Sequence, residues 1–570
     1  MFGKTWSVSE RKYNLIVERD IEITMSDGTK INADLFRPDG DEAFPAIFGF
    51  HPYNQSAQTA PIEPASFSTN FFRNPGQEEG NAYIEAGDPN AFVSRGYVYV
   101  IANVRGTGKS EGKYSFLAPP EAQDGFEIIE WIASQPWCNG NVGMFGVSYF
   151  AWIQLYIAAL NPPHLKCFFA PWAATDLYRD SAYHGGILGH GFWRMWANGS
   201  LHNCRVEPFS KSKEEAISRM LQDEDIAGVP ELVQILKNPD VGANPIVVDI
   251  LLNPYDGPYW DERKVDYSAI KIPGYIGSCW GIYALHLPGA FRSWENLQGQ
   301  KLMRIGPPAY LDRPLYQLQY ESLRWFDYWL KGIDTRIMDE APIKLFVMGA
   351  NDWKDANEWP LPETKWTPFY LHEKGIMYER VCSEHEGFDT FKDSPWGRGY
   401  LEYCSPKLVD NIEVIGPILL KLYASTTDTE VLWFVSLREL DTRGDERILT
   451  RGWLRGTHRE IDPERSKPWE PFHPHTSSQA LTPKKICEFN IPIVPTGNLF
   501  KAGSKIKLKI SSTDDQPKNP LEMLASGHLH RRSASCITVY HNSEYPSHLL
   551  LPITKGNIFE TFISGGEPFI

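Results

Sequence analysis

The sequence predicts an α/β fold followed by an all-β domain, on three observations. Buried strand-like runs alternate with helix-patterned segments over roughly the first 160 residues, and a Gly-Val-Ser turn sits where one such strand runs straight into a helix. Beyond residue 359, helical periodicity gives way to short strand-like runs separated by turns. The 570 residues also exceed what a single hydrophobic core usually organises.

Along the chain, AFPAIFGF (43–50) and YVYVIANV (97–104) are short, nearly all apolar and bounded by turn residues, as parallel strands covered on both faces are. EAQDGFEIIEWIASQPW (121–137) spaces its apolar residues as a helix does. NGNVGMFGVS (139–148) then gives a turn and a buried strand, and YFAWIQLYIAALNP (149–162) a helix. Between 178 and 265 the alternation yields to charged stretches such as KSKEEAISRMLQDEDI (211–226), which predict a helical cap. IPGYIGS (272–278) and KLMRIG (301–306) resume the strands. YQLQYESLRWFDYWLKG (316–332) is an amphipathic helix closed by Lys and Gly. The sheet domain is thus expected over 1–177 and 266–355, with the cap over 178–265. IGPILLKLYA (415–424), TEVLWFVSLREL (429–440), ICEFNIPIVPT (486–496) and KIKLKISSTD (505–514) place a β-sandwich over 360–570.

The net charge of −15 and a pI near 5.5 argue against nucleic acid or an anionic membrane as partner, and point to a small molecule. No apolar signal core opens the chain and no run of 18 apolar residues occurs, so a cytoplasmic location is expected. The eight cysteines are scattered without a C-x-x-C pair, which suits small buried groups better than a disulfide framework or zinc site. His473 with His475, and His528 with His530, have metal-ligand spacing but fall in sandwich segments, where packing or loop roles are expected. RGTG (105–108) lacks the Lys-Ser/Thr pair and the spacing of a phosphate loop. No cofactor or metal is expected, and a homodimer is left open.

Gly146-Val147-Ser148-Tyr149 has the strand-turn-helix setting of a nucleophile elbow, the mark of the α/β-hydrolase fold. Such a turn lifts a serine Oγ above the sheet edge and aims helix N-terminal amides at a developing oxyanion. Tyr149 N–H would be one donor. The loop after the earlier strand, FGFHPYNQ (48–55), offers the Tyr53 hydroxyl as a second, unless Tyr53 is an ordinary loop aromatic. The usual pattern ends in Gly, and here Phe150 takes that place.

With RGTG-S-G, E-x-x-D and GxSY in one block (103–149), and with the blocks 451–475, 497–514 and 541–553, the chain resembles the cocaine-esterase-like and X-Pro dipeptidyl-peptidase-like acyl hydrolases. The resemblance covers most of the chain. It implies a C-terminal jelly roll and acyl transfer to water through a Ser-His-Asp triad, with a Tyr side chain assisting the oxyanion. Ser148 and Tyr53 match the nucleophile and that Tyr. The family's acid follows a Trp in W-x-D, which here reads Trp280-Gly281-Ile282, so Ile282 stands at the acid position. Its base lies in G-P-W-x-H, which here reads Gly306-Pro307-Pro308-Ala309-Tyr310, so Tyr310 stands at the base position.

A phenol whose reference pKa is about 10 is no substitute for imidazole, and an unassisted serine is a poor nucleophile. One reading is therefore a hydrolase with a rewired base, for which His51 and His286 are candidates. His184 and His190 are more distant ones, and Asp176, Asp312 and Glu321 are candidate orienting carboxylates. A second is a lyase, isomerase or cyclase that uses the oxyanion hole with Tyr310 as proton donor. A third is a noncatalytic binding protein. Phe71, Phe72, Trp172, Phe192, Trp193, Trp196, Trp280 and Ile282 fall in segments expected near the cleft, so a hydrophobic substrate is expected.

Overall fold

The computed structural model describes residues 7–53, 59–60, 82–83, 85–201, 204–308, 313–384, 387–518, 522 and 525–556. The first sheet has ten strands: β1 (Leu15–Thr24), β2 (Lys30–Pro38), β3 (Phe44–His51), β4 (Val98–Asn103), β5 (Cys138–Phe145), β6 (Leu165–Pro171), β7 (Gly274–Cys279), β8 (Lys301–Gly306), β9 (Ile343–Val347) and β10 (Asp352–Ala356). They lie in the order β1-β2-β4-β3-β5-β6-β7-β8-β9-β10. The strands from β4 to β9 are parallel and the flanking pairs antiparallel. Every residue of β3 and β4 is buried, as expected where helices cover both faces of a parallel sheet. Helices α1 (Pro119–Ser134) and α2 (Tyr149–Ala159) pack on β3, β5 and β6.

The cap lies between β6 and β7. Its KSKEEAISRMLQDEDI stretch is not one helix: Glu214–Met220 and Glu224–Ala227 are separated where Asp223 turns its carboxylate onto the amides of Asp225 and Ile226 as an N-cap. Helix α3 (His190–Ser200) also belongs to the cap.

The all-β domain has eleven strands: β11 (Lys365–His372), β12 (Ile376–Tyr378), β13 (Phe388–Asp393), β14 (Tyr400–Cys404), β15 (Ile412–Thr426), β16 (Leu432–Leu440), β17 (Glu446–Arg455), β18 (Cys487–Phe500), β19 (Lys505–Ser511), β20 (Ser535–Tyr540) and β21 (His548–Lys555). Because β21 pairs with both β11 and β15, the sheet folds back on itself in a sandwich that approaches a barrel.

This domain holds the cap in place. The amides of His190 and Gly191, which open α3, both donate to Gly527 O at 3.0 Å, and Leu529 N donates to Leu188 O at 2.8 Å. A Cβ on Gly191 would come within 2.6 Å of Ser526 O, so only glycine permits this approach. Elsewhere at the seam, Met348 exchanges backbone hydrogen bonds with Gly497 and Leu499. Among the described residues, no helix is long and apolar enough to cross a membrane.

Candidate active site

Ser148 follows β5 with φ +57° and ψ −125°, a strained conformation of the kind found at nucleophile elbows. Gly146, at φ +142°, makes the turn possible because a Cβ there would lie 2.3 Å from that of Phe150. Phe150 in turn covers Gly49 of β3 and stacks on His51 at 4.6 Å between ring centroids. The missing final glycine of the elbow pattern is thus replaced by an aromatic that fills space left by Gly49 on β3 and Gly146 in the turn after β5.

Tyr149 is the first residue of α2, so its N–H has no acceptor within the helix. The phenol donates to Glu121 Oε2 at 2.5 Å and accepts from the Tyr114 hydroxyl at 3.2 Å. Burial raises Glu121 to about 7. Arg105, from RGTG, clasps the Asp124 carboxylate with Nε at 2.6 Å, so this pair of motif residues fastens the loop after β4 to α1.

Tyr53 is anchored by its backbone: its N–H donates to His51 Nδ1 at 3.2 Å and its carbonyl accepts from Asn103 Nδ2 at 2.8 Å. Its ring stands edge-on to Tyr149 and to Trp196, at 6.3 and 6.5 Å.

The hydroxyls of Tyr53 and Ser148 both act on the carboxyl of Glu85, a residue that sequence reasoning missed. Its carbonyl accepts the Val147 N–H at 2.9 Å, which ties this loop to the residue before the nucleophile. Burial drives the Glu85 carboxyl up to about 8, against the pull of the two nearby hydroxyls. Neighbouring Asp88 is accounted for as the N-cap of Pro89–Val93. Nothing in the local pattern of NAYIEAGDPN distinguishes Glu85, since its contacts depend on the tertiary fold.

The proposed histidines stand differently. His51 and His286 are both fully buried and pushed down to about 3, so they are neutral at ordinary pH. His286 Nδ1 accepts from the Trp152 indole at 3.3 Å, a donor it shares with Trp172 O at 3.1 Å. His184 and His190 belong to the seam with the sandwich. Among the described residues, no hydrogen bond joins Ser148 to a histidine. Asp176 is paired with Arg179, and Glu321 with Arg324. Tyr310, Asp312, Phe71 and Phe72 lie outside the described residues.

Ile282 is buried, and its carbonyl closes the turn after β7 by accepting from His286 and Leu287. The aromatics divide into two sets. Trp196 stacks on Tyr149 at 6.1 Å and contacts Phe192 and Trp193, so α3 forms an aromatic wall beside the elbow. Trp172 follows β6 at φ +58°, with its carbonyl bonded to Trp152. Trp280 instead faces the seam: its indole donates to Phe346 O at 2.5 Å, and its ring lies against Phe291 and Gly497.

Residues 27–310 match the family model described as X-Pro dipeptidyl-peptidase (S15 family). Residues 335–550 match the X-Pro dipeptidyl-peptidase C-terminal non-catalytic domain. The cocaine esterase of a Rhodococcus species is 25% identical, with 95% of this chain and 99% of that protein aligned. An Xaa-Pro dipeptidyl-peptidase of Lactobacillus helveticus is 30% identical over 75% of this chain and 61% of its own length. Among solved structures, a CocE/NonD family hydrolase from Staphylococcus aureus superposes with a TM-score of 0.81 at 26% identity, covering 95% of this chain and 94% of that one.

Proposed function

This chain belongs to the X-Pro dipeptidyl-peptidase (S15) family of acyl hydrolases, and on that premise we propose that it cleaves an ester or amide bond in a hydrophobic small molecule, with Ser148 as nucleophile. The carrying observation is the Ser148 backbone. A strained elbow at the mouth of a parallel sheet, opening a helix whose first N–H is unspent, is built to attack a carbonyl and hold the resulting oxyanion.

The Tyr149 N–H supplies one oxyanion donor. The Tyr53 hydroxyl, held on the Ser148 side of its loop, supplies a second once the substrate carbonyl competes with Glu85 for it. The aromatic wall of Trp196, Phe192 and Trp193 favours an apolar acyl or leaving group over a charged one.

A fluorophosphonate probe followed by peptide mapping tests the nucleophile. Modification is expected at Ser148, and Ser148→Ala is expected to lower p-nitrophenyl ester turnover by about 10⁴- to 10⁶-fold. A folded wild-type protein that hydrolyses esters without taking the probe at Ser148 overturns the assignment.

A further inference from the structure

We propose that the Glu85 carboxylate is the general base that activates Ser148, in the role a triad histidine fills elsewhere. This rests on the reading of Ser148 as nucleophile. Its own support is positional: Glu85 is buried, its carboxyl lies near enough to the Ser148 hydroxyl to be acted on by it, and its backbone is pinned by the Val147 N–H at 2.9 Å, one residue before the nucleophile. A general base needs first to be within reach of the proton it removes, and only then to have a suitable affinity for it.

Among the described residues, few groups face Glu85. The loop after β3 presents the Tyr53 phenol, and the turn between β5 and α2 presents Ser148. His51, on the same loop as Tyr53, stays neutral, and Tyr83 is committed to Asp34 at 2.9 Å. No charged side chain among the described residues contributes to the field at Glu85, so burial alone raises its proton affinity. The outcome is a carboxyl that ionises near pH 8, close to where a base is most effective. His51 and His286, held near 3, are much weaker proton acceptors.

The steps balance in protons and electrons. Ser148 Oγ bonds to the acyl carbon as its proton passes to the Glu85 carboxylate, and the carbonyl π pair moves onto oxygen, where the Tyr149 N–H receives it. The tetrahedral intermediate then collapses. The bond to the leaving group breaks and the Glu85 carboxyl returns its proton to that group, leaving an acyl-serine. Glu85, again a carboxylate, takes a proton from water, and the hydroxide formed attacks the acyl carbon. Collapse expels Ser148 Oγ, which recovers the proton from Glu85 and releases the acid. Tyr53, donating to Glu85 in the resting site, favours its ionised form and keeps the base available at lower pH.

The test uses the full chain, p-nitrophenyl butyrate and a fluorophosphonate probe between pH 5 and 10. Wild-type kcat/KM and the rate of probe labelling are both expected to rise with pH to a plateau above about 8. Glu85→Gln is expected to lower kcat about 10²- to 10⁴-fold and flatten that rise, with its thermal unfolding at pH 6 still cooperative. Glu85→Asp keeps a carboxylate, so it is expected to retain the pH-dependent rise at intermediate activity. Added formate is expected to restore part of the activity of Glu85→Ala. If wild-type Ser148 takes the probe while Glu85→Gln keeps both its kcat within threefold and the rise toward pH 8, the base assignment falls and the nucleophile assignment stands. If wild-type Ser148 takes no probe, both fall.

Discussion

The elbow around Ser148 and the seam around His528 contain the same kinds of group in opposite arrangements. At the seam, His528 Nδ1 lies 2.9 Å from Asp514 Oδ1, and its Nε2 lies 2.8 Å from His184 Nδ1. His184 Nε2 faces two carbonyl oxygens, of Ala284 at 2.9 Å and Asp180 at 3.1 Å, which only accept, so it carries its proton there. His184 Nδ1 therefore accepts, and the hydrogen-bond count puts protons on both His528 nitrogens, with Asp514 balancing the charge. This is the acid-and-imidazole half of a triad in outline, yet no ring nitrogen retains a lone pair for a hydroxyl. At the elbow, a hydroxyl on a strained turn has no imidazole hydrogen-bonded to it among the described residues, and lies near the buried carboxyl of Glu85. Catalytic potential thus follows from which lone pair remains available beside the nucleophile, and a carboxylate–histidine pair taken alone is a poor guide to it.

The largest expected effect is on stability at the seam. Replacing Asp514 by Ala leaves the proton on His528 buried without its partner, and breaking such a pair typically costs about 3 to 5 kcal/mol. Urea unfolding of Asp514→Ala at pH 7 should show a loss of that order, while specific activity of the remaining folded protein stays within a few-fold of wild type. A loss of activity without a loss of stability would break the comparison by making the seam pair catalytic. Asp514 is held down to about 2 by His528, which outweighs burial. A lowered carboxyl contributes stability above its ordinary value and loses it as pH falls, so the difference between wild type and Asp514→Ala should shrink as pH drops from about 4 to about 2.

The seam and the elbow were unequally legible in the sequence. Alternating runs placed β3, β4, β5, β7, β8 and α2 within a few residues, because apolar periodicity is itself the cause of those elements. The GxS junction identified the elbow because the motif falls where a buried strand turns straight into a helix. The charged stretch at 211–226 is broken into short helices because Asp223 acts as an N-cap within it. Neither polar cluster could be read. His528 stood in a motif taken for packing, and its partner His184 comes from the cap, 344 positions away. Glu85 reaches Ser148 only through a loop that the Val147 amide pins in place, and no spacing rule encodes that. The resemblance drew attention to the positions where acid and base were missing, Ile282 and Tyr310, whereas the carboxyl comes from a loop on the opposite side of the nucleophile strand in sequence.

At the elbow, a smaller change in stability of opposite sign is expected. The folded state holds the Glu85 proton up to about 8, above the ordinary 4.5, so this contribution to stability is complete below about 4.5 and is lost as pH rises to about 8. Glu85→Gln cannot ionise. Relative to wild type it should gain stability between those values, reaching roughly 2 kcal/mol by pH 9, below the limit of about 1.4 kcal/mol per pH unit because the site relaxes. Thermal melts at pH 4 and pH 9 check this. A difference that does not grow with pH would mean that the carboxyl is already ionised near neutrality.

The smallest effect concerns the elbow's own imidazoles and sharpens the comparison most directly. His51 holds the Tyr53 amide and stacks on Phe150, and His286 holds the Trp152 indole, so both act on the site through other residues. His51→Phe preserves the stack but removes an acceptor from a buried N–H, for an expected cost of about 1 to 2 kcal/mol. His286→Phe should cost less, since the Trp152 indole keeps Trp172 O as an acceptor. Neither ring titrates above about 3, so neither change should move the rise in kcat/KM toward pH 8, whatever it does to its height. A pH profile of His51→Phe from which that rise has vanished would return the base to imidazole, and Glu85 would then be the group that orients it.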